Sequence, residues 1–95
     1  MHMNIFNALR VYAGKWNEKN VRDFTPEEVE AVQEAKVVES QYGCSVCFTM
    51  RSGGSTYIPL DQNSSASEGD IINLSTAKLV TLSKVGEDDI YRVRP

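Results

Sequence analysis

The sequence predicts a mainly β, α+β domain: a small antiparallel barrel or sandwich of five to six short strands with one short helix. Three observations point there. From Val38 onward apolar residues recur at every second position, the period of a half-buried strand. Turn-forming residues interrupt the chain at roughly ten-residue spacing, as in antiparallel β proteins. One stretch alone, beginning at Thr25, carries a clear helix start signal.

The elements follow in chain order. His2 lies between two methionines, Met1 and Met3, and residues 1–2 read as a cloning scar ahead of a natural start at Met3. Residues 3–95 then form a single domain, since 95 residues suffice for one compact core. In residues 3–24, Ile5, Phe6, Leu9, Val11 and Tyr12 fit a helix face and a strand face equally badly. Gly14 and the polar Asn17-Glu18-Lys19-Asn20 read as a turn or loop.

Thr25-Pro26-Glu27-Glu28 combines an N-cap, a proline at the first helical position and a glutamate able to close a capping box. Val29, Val32 and Ala35 continue at helical spacing, which predicts a helix over about 26–34 within a helical segment 25–35. Glu27, Glu30 and Glu34 form its outer, acidic face. Strands then occupy residues 36–95. The alternation from Val38 through Tyr42 to Met50 predicts one long strand, or two short ones with a bend at Gly43. Ser52-Gly53-Gly54 supplies a tight hairpin. The return strand runs over 55–60, with Thr56, Ile58 and Leu60 on one face, Tyr57 on the other, and Pro59 ending it or placing it at an edge. Residues 61–70 are polar and low in complexity, a surface loop. Further strands are expected over 71–74, 78–84 and 90–93, with a turn at Val85-Gly86-Glu87-Asp88.

The residue counts exclude several chemistries. His2 is the only histidine and belongs to the scar, so the domain lacks the commonest general base and zinc nitrogen ligand. Cys44 and Cys47 form a lone C-x-x-C in a strand-like context, where positions three apart point to opposite faces. Two reduced thiols fit this better than a metal or redox site, and they fit a reducing, cytoplasmic compartment. No nucleophile–base pair and no phosphate-binding glycine motif is present, so the chain reads as non-enzymatic, without cofactor or metal. No apolar run is long enough to span a membrane.

The long strand interrupted at Gly43, the Gly53-Gly54 hairpin, the Glu68-Gly69-Asp70-Ile71 strand entry and the closing Ile90-Tyr91-Arg92-Val93 together resemble small OB-fold single-stranded-DNA-binding proteins of phages and mobile elements. The resemblance covers residues 37–93. It implies an OB-like β-barrel and single-stranded DNA as partner. The helix of that family lies between the third and fourth strands, a place taken here by the serine-rich loop.

A single-strand binder needs cations for phosphates and aromatic faces for bases. Tyr12, Lys15, Trp16, Lys19 and Arg22 offer one such set, and Arg51 and Tyr57 with Arg92 another. The net charge of −3 is uneven: residues 1–22 carry +3 and residues 23–44 carry −5. The competing expectation is a protein-interaction module, a homo-oligomer or an inhibitor, using an edge strand or the apolar arm over 3–16.

Overall fold

In a computed structural model the described residues are 16–41, 43–84 and 89–95. The expectations for the opening segment, Tyr12, Lys15, Tyr42 and the 85–88 turn lie outside them. The chain runs β1 (Asn17–Asp23), α1 (Pro26–Ala31), β2 (Val32–Ser40), β3 (Gly43–Met50), β4 (Ser55–Pro59), β5 (Lys78–Ser83) and β6 (Ile90–Arg94). The fold is mainly β: two three-stranded antiparallel sheets, ordered β1-β5-β6 and β2-β3-β4, with one short helix. Among the described residues no helix is long and apolar enough to cross a membrane.

The helix begins where the sequence places it. The Thr25 hydroxyl accepts from the Glu28 backbone N–H at 3.1 Å, and the Glu28 carboxylate accepts from the Thr25 N–H at 2.8 Å. It stops at Ala31, short of the expected 34–35, because Val32 is already extended and starts the pairing with β3. Val29, Val32 and Ala35 satisfy the helical period by coincidence. In β2 the buried residues are Ala35 and Val37, two apart as in any strand. A six-residue helix is marginal by itself. Arg51 supports its C-terminal end, its backbone N–H donating to the Ala31 carbonyl at 3.0 Å and its Nε to the Glu30 carbonyl at 2.8 Å.

The long alternating run is two strands, β2 and β3, joined by a turn. Gly43 opens β3 rather than bending a continuous strand. At the β3–β4 hairpin Gly53 and Gly54 adopt φ of 101° and 82°, which side chains rarely tolerate. Two further expectations change. Residues 17–20, read as a loop, begin β1, because the backbone ladder to β5 and cross-strand ion pairs hold a strand with no apolar face. Residues 71–74 form no strand. Ile71 makes one isolated bridge to Lys36, and Gly69, Asp70 and Ile72 exchange backbone hydrogen bonds with Ala35 and Val37 along the edge of β2.

The core fills the space between the sheets. Ala35, Val37, Val46 and Phe48 from one sheet meet Val93, Leu60, Ile72, Leu74 and Ala77. Phe24, just before the helix, packs its ring at 59° and 6.0 Å from Phe48. The sheets share hydrogen bonds at one place among the described residues: Leu60 pairs in parallel with Val93, and the Asp61 N–H donates to the Val93 carbonyl at 2.9 Å.

The cap has a pH signature. Hydrogen bonds from the Arg22 guanidinium, at 2.7 and 3.0 Å, hold the Glu28 carboxyl at about 2, against an opposing effect of burial and with help from the Thr25 backbone N–H. The folded pKa lies below the ordinary 4.5, so this stabilisation is complete above 4.5 and disappears as pH falls towards 2. Urea unfolding should therefore show Glu28→Gln less stable than the parent at pH 7. The gap should close on acidification through that window.

Candidate functional site

Strand pairing decides which chemistry-bearing side chains share a face. In the β2-β3-β4 sheet, Lys36 pairs with Cys47 and Cys47 with Tyr57. Because neighbouring strands place paired residues on the same side, Lys36, Cys47 and Tyr57 form one row across the outer face. The next row is Glu34, Thr49 and Ser55. Exposed Ile71, opposite Lys36, extends the first row beyond β2. Adjacent strands lie about 4.8 Å apart, so Lys36 and Tyr57 are separated by roughly 10 Å.

Tyr57 is 40% exposed on this face, with Cys47 opposite it and Thr49 and Ser55 in the next row. Its hydrogen bond with the Cys47 thiol pushes the phenol above its ordinary value, so it is neutral at physiological pH. Lys36 lies 3.8 Å from Glu34, both about half exposed, a pair that solvent leaves weak. Arg51 follows β3 at the hairpin end of the same sheet. It makes no ion pair among the described residues, although its Nε is committed to the helix end.

The two cysteines behave as the alternation requires. Cys44 packs against the core, where burial, followed by Glu39 and Glu68, pushes its thiol up. Cys47 faces the other way, beneath Tyr57. Both are reduced.

The remaining basic candidates are occupied. Lys19 pairs with Asp89 at 3.0 Å. Arg22 is bound by Glu28, whose hydrogen bond raises the Arg22 pKa further. Arg92 donates to Glu18, which also accepts from Arg94 Nη2 at 2.6 Å. Asp61 Oδ2 lies 3.4 Å from Arg94 Nε and 3.9 Å from Arg92 Nε, and this last nitrogen is buried with no acceptor in hydrogen-bond reach among the described residues. The Arg92 and Asp61 side chains are only 16% and 12% exposed. This network ties β1 and β6 to the chain leaving β4. It is structural. Trp16 is half-buried against Val80, Leu82 and Ile90 on the β1-β5-β6 sheet.

Of the candidates, the structure places Tyr57 and Arg51 on or beside the β2-β3-β4 sheet, and Trp16, Lys19, Arg22 and Arg92 on or beside the β1-β5-β6 sheet. The sequence reading missed Lys36, which it assigned next to the helix end. The alternation of buried Ala35 and Val37 with Glu34, Lys36 and Val38 was the available signal. Compared with family models, curated proteins and solved structures, the chain matches none.

Replacing Arg92 with alanine strands Glu18 and Asp61 with fewer donors. Chemical denaturation should show a loss of about 1–3 kcal/mol. Affinity for oligo-dT, compared at equal fractions folded, should stay that of the parent.

Proposed function

We propose that this protein binds single-stranded DNA on the outer face of the β2-β3-β4 sheet, and that its two sheets act together as an OB-like, curled β surface. The observation carrying the proposal is the exposed Tyr57 ring in a row with Lys36 and beside the small side chains of Cys47, Thr49 and Ser55. A base needs a flat aromatic partner and open space above it, and Cys47, Thr49 and Ser55 leave that space. The phosphates on either side need cations, and Lys36, paired only weakly with Glu34 at 3.8 Å, and Arg51 supply them.

The chemistry is binding alone. Stacking on Tyr57 is indifferent to base identity, because every base has a π-face, so the expected preference is for unpaired strands rather than for a sequence. With two cations at the site, affinity is modest and falls with salt. For single strands the slope of log K against log salt is about −0.7 per neutralised phosphate, or roughly −1.4 here. The OB-like reading is supported by the Leu60–Val93 bridge, which lets strand pairing continue from β2 through β3 and β4 to β6, β5 and β1. A reducing, cytoplasmic setting suits the free thiols.

Fluorescence anisotropy of labelled oligo-dT at two salt concentrations tests this reading. Tyr57→Ala removes a stack worth about 1–3 kcal/mol, an affinity loss of roughly fivefold to 150-fold, whereas Tyr57→Phe keeps the ring and most of the binding. Salt-independent binding, or full affinity in the alanine variant, overturns it.

A further inference from the structure

β4 ends its sheet. One side pairs with β3; on the other, β4 runs beside β6, and among the described residues the two backbones join only past its end, at Leu60 and Asp61. The open part of this edge is therefore the Ser55–Tyr57 end, since Pro59 is buried and has no N–H to donate. Beside it lies a groove of about 340 Å³ between α1 and the β3–β4 hairpin. Phe48, Met50 and Ile58 form its floor, Leu79 and Phe24 its walls, and Thr56 projects into it from β4. These are inward-facing positions that the short helix does not cover. An apolar groove next to a free strand edge is the combination that takes an added strand: main-chain hydrogen bonds give affinity, and alternate side chains enter the groove.

Charge narrows the occupant. The helix side of the groove carries Glu27 and Glu28, and α1 has no basic residue in its last turn. Glu28 is neutralised by Arg22, whereas Glu27 is exposed and forms no ion pair among the described residues. The other free edge, β1, differs. It has a bulge between Glu18 and Asn20 and bears charged side chains, two devices that discourage strand addition.

We propose that the β4 edge and its groove bind an extended segment of a partner protein, with apolar side chains at alternate positions in the groove and a Lys or Arg placed against Glu27. This surface is separate from the outer face on which Tyr57 lies, since Thr56 and Ile58 point to the opposite side of β4.

A random linear peptide library displayed on phage, selected against the full chain, tests the proposal. Two surface variants serve as controls: Thr56→Arg obstructs the groove at an exposed position, and Glu27→Lys reverses its rim. Enriched peptides should alternate apolar residues with Lys or Arg. They should bind the parent at least about tenfold more tightly than Thr56→Arg, with a smaller loss for Glu27→Lys. Failure to enrich peptides that discriminate the parent from Thr56→Arg overturns the proposal, as do enriched peptides without basic residues. Self-association in sedimentation velocity that Thr56→Arg abolishes also overturns it, by assigning the groove to a second copy of the chain.

Discussion

The parallel pairing of Leu60 with Val93 is the constraint on which the rest of the molecule depends. Each sheet has only three strands, and such a sheet needs a second layer to cover its apolar face. Leu60 and Val93 are both buried, at 2% and 0% exposure, where the core of one sheet meets the other. The Asp61 N–H bond to Val93 fixes the register, and the Asp61 carboxylate then reaches the Arg92–Arg94–Glu18 network on the outside. Apolar contact inside and ion pairing outside thus act on the same few residues. Pro59 stops β4 one residue earlier, freeing the chain to change partners.

That junction also decides which charges remain for a ligand. β1 buries no apolar residue, and its side chains reach neighbours through Lys19–Asp89, Asp23–Lys78 and Glu18–Arg92 contacts. These pairs hold a polar strand in place and consume most of the cations near it. On the other sheet Lys36 has only its loose, half-exposed contact with Glu34, and Arg51 forms no ion pair among the described residues. Net charge is therefore a poor guide to partners in this chain: what matters is which cations the fold has already paired.

Much of the fold was legible in the sequence because local rules agreed with the tertiary outcome. The capping box at Thr25, the Gly53-Gly54 hairpin and the opposite faces of Cys44 and Cys47 are local chemistry, and all three hold. Three expectations failed for tertiary reasons. The helix gave way at Val32 because pairing with β3 competes for the same backbone. β1 formed without an apolar pattern because its stability comes from a ladder and from ion pairs to residues far along the chain. Residues 71–74 became an edge cover for β2, a role that apolar spacing cannot signal. The site followed the same division. Tyr57 was identifiable from its phase against Ile58 and Leu60, while Lys36 needed the register, and the occupation of Arg22 and Arg92 needed partners distant in sequence.

The proposed DNA-contacting face is Tyr57 and its row. Amide chemical-shift mapping by NMR, titrating the labelled chain with oligo-dT at low salt, addresses it most directly. The largest shifts should fall on Lys36, Cys47, Thr49, Arg51 and Tyr57, with Lys19, Arg22 and Arg92 nearly unmoved. Shifts centred on β1 and Trp16 instead, or no shifts at saturating oligonucleotide, would contradict it.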